Sequence, residues 1–467
     1  MNMHLHLFDK LVYSKRRKQL TANVGKGLIL LMGNEDSSMN YADNTYPFRQ
    51  DSTFLYYAGI DIAGLALVLD TESGEEILFG REAGIDDIIW TGPLPSLQDL
   101  ADMVAVGKTR AYAQLGDVLK QAKAAGRQIH ILPPYRPENK IKLAEWLDVP
   151  VAALTGVVSL ELIKAVIAQR ECKDADEITE MERAVSVSVD MHMAAMKYTR
   201  PGMKEYEIAA KVEEVALAAG GRLSYPTILT INGQVLHNHS YGNTVQEGHM
   251  ILCDAGAETA MHYAGDLTRT FPVGKQFTNR QREMYQVVLD SLDHAASLLK
   301  PGIQYKEVHT QASIKLIEGL KTLNLVKGDP AEAVAAGVHT LFFQCGLGHM
   351  IGLDVHDMED LGEQYVGYSE TLKKSTAFGW KSLRLGRELK PGFVLTVEPG
   401  IYIIPELIDR WVAEKKLSNF VDYNTLATYR DFGGIRIEDN FVITETGSRR
   451  LGKDLPKTIA EVEAVRQ

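Results

Sequence analysis

The hydrophobic runs of this chain are of two kinds. In the first third they are short and uninterrupted: Gly27-Leu-Ile-Leu-Leu-Met, Leu65-Ala-Leu-Val-Leu-Asp and Glu75-Glu-Ile-Leu-Phe. Runs of that length without polar alternation predict strands buried on both faces. Residues 101–125 are rich in helix formers, so this part reads as an α/β unit. The polar stretch Arg170-Glu-Cys-Lys-Asp-Ala-Asp-Glu then marks a boundary, with domains expected at 1–172 and 173–467. Beyond it the period lengthens to that of a helix. Residues 178–198 predict one helix. Another starts at Thr278, where Gln281 completes a capping box. Its apolar positions Met284, Val287, Val288, Leu292, Ala295 and Leu299 form one stripe.

The second part repeats itself. Arg200-Pro201-Gly202 and Lys300-Pro301-Gly302 each close a helical stretch, and Glu207-Ile208 and Glu307-Val308 follow at the same offset. Two apolar strands then end in an acid: Gly248-His-Met-Ile-Leu-Cys-Asp254 and Gly392-Phe-Val-Leu-Thr-Val-Glu398. Each is followed by a second acid in a strand-like setting, Asp266 and Glu438. Pro-Gly after a helix is common punctuation, but together with the twin acidic strands it indicates an internal duplication.

A carboxylate at the end of an apolar strand is costly to bury unless paired or bound to a cation. His349 follows a glycine-rich approach, Cys345-Gly-Leu-Gly-His. Any one of these acids alone reads equally as a turn or cap, and His349 alone as a core histidine. Together, Asp254, Asp266, His349, Glu398 and Glu438 carry charge enough for two divalent cations. Oxygen-rich ligands favour Mn²⁺, Mg²⁺ or Co²⁺ over a thiolate-type zinc site. Two metals a few ångströms apart can hold a hydroxide and polarise a carbonyl.

Composition narrows the alternatives. The net charge of −11 (50 − 61) argues against nucleic acid as a partner. The basic run Lys15-Arg16-Arg17-Lys18 is short enough to be a solvated helix face. Three cysteines without a C-x-x-C pair signal neither a disulfide framework nor structural zinc. No run is long enough to span a bilayer and no signal peptide is evident, so a cytoplasmic enzyme is expected. Neither a P-loop nor a strand-linked G-x-G-x-x-G is present.

The motifs Tyr263-Ala-Gly-Asp-Leu-Thr-Arg, Gly346-Leu-Gly-His-Met-Ile-Gly-Leu-Asp-Val-His356-Asp, Val394-Leu-Thr-Val-Glu-Pro-Gly-Ile-Tyr and Gly434-Ile-Arg-Ile-Glu-Asp-Asn resemble the Xaa-Pro metallopeptidases. These are the aminopeptidase P and prolidase branches of the pita-bread family. A weaker likeness covers the first domain, through Tyr46-Pro-Phe-Arg-Gln-Asp-Ser-Thr-Phe and Ile89-Trp90-Thr-Gly. The resemblance implies a creatinase-like α/β N-terminal domain, a mixed sheet with flanking helices. It also implies an α+β pita-bread catalytic domain with a pseudo-twofold. The activity implied is hydrolysis of the bond between an N-terminal residue and proline in a peptide substrate. The cofactor implied is two divalent ions of the Mn²⁺ type, with Co²⁺ or Zn²⁺ as alternatives. Asp266 and Glu438 would bridge, Asp254 would complete one metal, and His349 and Glu398 the other. Glu398 would be the general base. His356 and His237 would hold substrate and the developing oxyanion, with Arg436 and Tyr402 orienting ligands and substrate. Read on their own, His237 and His239 form an H-x-H metal pair; the resemblance gives His237 to substrate and leaves His239 structural. Trp90 resembles a tryptophan that reaches a neighbouring subunit's site, implying a homodimer or homotetramer.

Two departures from the family pattern stand out. Asp254 and Asp266 are twelve apart (266 − 254), one more than usual, which a longer hairpin tip absorbs. Cys345 stands where a histidine is usual, a change that either weakens oxyanion stabilisation and alters specificity or is made good by water. Arg384, in Ser382-Leu-Arg, resembles the arginine with which prolidase grips the carboxylate of a dipeptide; otherwise it is a surface arginine. The first domain favours aminopeptidase P, with prolidase as the alternative. Methionine aminopeptidases need no such first domain. Creatinase-like hydrolases lack these ligands, and non-catalytic pita-bread modules that bind proteins lose them.

Overall fold

The uninterrupted apolar runs become adjacent strands of one sheet in a computed structural model that describes residues 5–467. The chain divides into two units, the first holding the residues up to Arg170 together with Asp360–Gly362 and the second the rest. In the first, β1 (Leu28–Met32), β2 (Ala66–Asp70), β3 (Glu76–Gly80), β4 (Lys108–Ala111) and β5 (Ile129–Ile131) take the order β4-β3-β2-β1-β5. The sheet is mixed: β1–β2 and β2–β3 are antiparallel, β1–β5 and β3–β4 parallel. Leu28, Leu30, Val68 and Phe79 pack with Leu115, Leu119, Leu143 and Leu147. Ile29, Leu31, Leu67 and Leu69, on the alternate positions, are buried too. Burial on both faces is why these strands carry no polar alternation.

Residues 101–125 do not form the continuous helix that their composition suggests. Helix Leu97–Met103 ends, β4 pairs with β3, and helix resumes over Leu115–Ala124. Gly107 and the β-branched Thr109 lie in the break. Helix propensities differ by less than about 1 kcal/mol per residue, so the open edge of β3 decides the conformation.

In the second unit the duplication is visible in individual hydrogen bonds. Helices Ala175–Tyr198 and Glu205–Ala218 flank Gly202, and helices Asn279–Leu298 and Tyr305–Thr322 flank Gly302. Gly202 N–H donates to the Val245 carbonyl at 2.8 Å and Gly302 N–H to that of Leu389 at 2.9 Å. The bridges Lys204↔Thr244 and Gln304↔Glu388 match in turn. Thr278 caps its helix in the expected capping box, and the stripe from Met284 to Leu299 is buried.

The strands that follow carry the acids. A short pair, β6 (Arg222–Leu223) with β9 (Ala257–Glu258), flanks a sheet of β7 (Ile228–Thr230), β8 (Met250–Ala255) and β10 (Leu267–Pro272). The second half gives β11 (Val394–Val397), β12 (Gly400–Tyr402), β13 (Gly434–Arg436), β14 (Asp439–Ile443) and β15 (Ser448–Arg450). Here β11-β14-β15 form one sheet and β12–β13 a second pair. The bridge Thr268↔Glu438 joins the two halves beside the acids.

Candidate active site

Asp254 is the penultimate residue of the buried strand β8, and Asp266 directly precedes β10, its antiparallel neighbour. Glu398 directly follows β11, and Glu438 sits between β13 and β14. His349 is held against β11: its N–H donates to Thr396 Oγ1 at 3.1 Å, and its Nδ1 faces the Met350 carbonyl at 3.0 Å. That leaves Nε2 toward the acids, 3.4 Å from Asp266 Oδ2 and 3.6 Å from Glu398 Oε1.

Donor atoms of Asp266, His349 and Glu438 lie within 4.8 Å of one another. Asp254 and Glu398 stand outside that trio but line the same cavity of about 260 Å³. His237, His239, Cys345, His356 and Arg436 line it as well. His239, expected to be structural, therefore shares the cavity wall with His237. Tyr402 is buried behind it. Its hydroxyl accepts from Arg436 Nη1 at 2.9 Å and lies 3.8 Å from Cys345 Sγ. Arg436 also donates Nη2 to Asp254 Oδ2 and Nε to Thr268 Oγ1, the latter at 3.1 Å. Arg384 is half-buried, with Nη1 bonded to Glu359 and Glu363 at 2.7 and 2.6 Å. Trp90 is 86% exposed on the short helix Ile85–Thr91 of the first unit.

Three residues beyond the motif acids and histidines complete the site. The Tyr225 hydroxyl sits between Asp254 Oδ1, at 2.5 Å, and Asp266 Oδ1. Thr268 donates to Glu438 Oε2 at 2.7 Å. Asn440 clamps the Asp266 peptide, accepting its N–H at 3.0 Å and donating to its carbonyl at 2.5 Å. Thr268 and Asn440 lie inside the motifs quoted above. Tyr225 lies in none, and a tyrosine before proline carries no signal by itself.

The electrostatics of the cluster are those of too many carboxylates in too little water. Burial, opposed by His349 and Arg436, pushes Glu398 up to about 7. Burial and repulsion from Asp266, Glu398 and Asp254 raise Glu438. Asp254 is raised chiefly by burial, against the pull of Arg436. Burial would raise Asp266 too, but its bond to His349 wins and lowers it. Glu438 Oε1 is buried with no donor. A buried acceptor oxygen without a donor, among mutually repelling acids, fits a cation-binding site. Burial and the neighbouring His349 bring His356 down to about 4, while burial carries the Cys345 thiol up to about 12.

Comparison with known proteins agrees with this architecture. The profile of metallopeptidase family M24 matches residues 179–445, and that of the aminopeptidase P N-terminal domain residues 13–131. The Xaa-Pro aminopeptidase of Escherichia coli strain K12 is 32% identical over 468 residues, covering 97% of each chain. The Xaa-Pro dipeptidase of Homo sapiens is 30% identical over 461 residues, 96% of this chain and 90% of that one. A solved structure of E. coli aminopeptidase P with the inhibitor Pro-Leu matches at a TM-score of 0.81 and 30% identity, covering 99% of each chain. The chain belongs to metallopeptidase family M24, with an aminopeptidase P-type N-terminal domain ahead of a pita-bread domain.

Proposed function

We propose that this protein is a metal-dependent peptidase that hydrolyses the bond between an N-terminal residue and proline. The reading rests on the convergence of Asp266, His349 and Glu438, with Asp254 and Glu398 on the same cavity. It draws further support from full-length relatives named for Xaa-Pro cleavage. These five side chains would hold two divalent cations, and Asp266 faces both Asp254, through Tyr225, and the His349 side, as a shared ligand should. The oxygen-rich donor set favours Mn²⁺.

Bound there, the cations would supply an activated water and a polarised carbonyl. Glu398, on the cavity wall, would take a proton from the attacking water and pass it to the leaving proline nitrogen. His237, on the cavity wall, can donate to the carbonyl oxygen as its charge develops, while His356, whose Nδ1–H is taken by Glu359, lines the wall that holds the substrate. Arg436 fixes Asp254 on one side and Tyr402 on the other, so neither can swing away. The exposed Trp90, Ile85 and Ile89 suit burial in a homodimer or homotetramer. Among the described residues no helix is long and apolar enough to cross a membrane, and we place the enzyme among cytoplasmic peptidases.

The second reading, a strict Xaa-Pro dipeptidase, is favoured by Arg384 and by the human relative. Comparing Xaa-Pro with Xaa-Pro-Xaa under metal-loaded conditions separates the two. We expect turnover of the tripeptide. Turnover of the dipeptide alone, lost on Arg384→Ala, would establish the dipeptidase instead.

A further inference from the structure

Arg384 is linked to the cavity through Glu359 and His356. Its Nη1 donates to Glu359 Oε1 at 2.7 Å and to Glu363 Oε1 at 2.6 Å. The other oxygen of Glu359 faces His356 Nδ1 at 2.7 Å, and His356 lines the cavity. The other oxygen of Glu363 pairs with Lys374. Burial first, and nearer charges next, lower His237 and His356, and the Arg384 charge lowers both further, so it is felt on both walls. Two bases and two acids thus form a half-buried cluster with no net charge, joined to the site through one histidine.

The balance bears on what can lie beyond the proline. A dipeptide presents a carboxylate there, and a longer peptide presents a neutral carbonyl. A free guanidinium would prefer the carboxylate strongly, through a charge-assisted bidentate pair. An arginine already neutralised by two fixed carboxylates keeps N–H donors on its Nε and Nη2 edge, but it loses most of that charge preference. We propose that Glu359 and Glu363 set the chain-length specificity of this enzyme. By cancelling the charge of Arg384, they make it a donor that accepts a peptide carbonyl as readily as a terminal carboxylate. The inference rests on the Xaa-Pro reading above.

The test compares Xaa-Pro as free acid with Xaa-Pro-amide, which differ in charge at that one position. Glu363→Gln is the informative variant because Glu363 does not touch His356. We expect its acid-to-amide ratio of kcat/KM to rise about tenfold over the unsubstituted enzyme, mainly through a lower KM for the acid. Adding Arg384→Met should remove the rise. Lys374→Met shifts the balance the other way and should lower the ratio, which keeps the test open if Glu363→Gln folds poorly. An unchanged or reduced ratio in folded Glu363→Gln, or no fall in Lys374→Met, overturns the inference while leaving the peptidase reading intact. An unsubstituted, metal-loaded enzyme that cleaves neither substrate overturns both.

Discussion

Glu438 is 1% exposed, takes one hydroxyl hydrogen bond, from Thr268, and leaves Oε1 with no donor. Leaving a carboxylate that way costs several kcal/mol in the absence of a cation. Asp266 stands beside it, within reach of His349 and under the Tyr225 hydroxyl. Asp266→Asn should therefore abolish peptidase activity by more than about a hundredfold and lower metal content, with unchanged circular dichroism. Full retention of both metals in that variant would refute the shared-ligand role. These acids were legible in the sequence because a carboxylate closing an apolar strand is an anomaly that demands a partner. Tyr225 was not legible: its role exists only where two strands bring Asp254 and Asp266 together. Cys345 was visible as a departure. The structure adds that its thiol faces Tyr402 and stays protonated at neutral pH, with burial the main cause.

At the scale of elements, the two halves share a turn that only glycine takes easily. Gly248 and Gly392 both have φ +87° immediately before the acid-bearing strands, and Gly202 and Gly302 have +94° and +88° after the helices. These turns precede β8 and β11, whose C-terminal ends bring Asp254 and Glu398 to one cavity. Gly248→Ala meets only the backbone cost, about 1 kcal/mol, because no atom lies within 4 Å of the new Cβ. Gly392→Ala adds a contact 3.2 Å from Cys172 Cβ and should destabilise more. Equal losses in urea unfolding would argue against that account. The halves differ in length: 46 residues separate Gly202 from Gly248 (248 − 202), and 90 separate Gly302 from Gly392 (392 − 302). The longer span holds His349, His356, Glu359 and Arg384, so the duplication predicts the symmetric acids but not these residues. The Pro-Gly echo made the helices readable. The strand at Lys108–Ala111 was not, because pairing with a distant edge created it.

At the scale of the whole molecule, three buried histidines outside the cavity contribute to the response to acid. Burial is the first cause in each case and holds His192 and His339 at about 4 and His309 at about 3. In the unfolded chain they bind protons near pH 6.5. Between that value and about 4 the unfolded state holds more protons, so stability falls as pH drops through this window and is unaffected above it. Each ring contributes roughly 1 kcal/mol per pH unit. Both ring nitrogens of His309 lack partners, so His309→Phe should cost little at pH 7 and flatten the loss between pH 6.5 and 4.5. Urea midpoints that fall as steeply in the variant would contradict this assignment. The two-domain plan was readable end to end because its motifs span nearly the whole chain, and relatives of matching length share it. An acid-rich cavity that serves metal-dependent Xaa-Pro cleavage must respond to chelation. The most direct measurement follows release of the N-terminal residue from an Xaa-Pro-Xaa peptide before chelation, after chelation and after Mn²⁺ is restored. Chelation should abolish cleavage and Mn²⁺ should recover it; a metal-loaded protein that cleaves no Xaa-Pro peptide of any length would rule out the peptidase role.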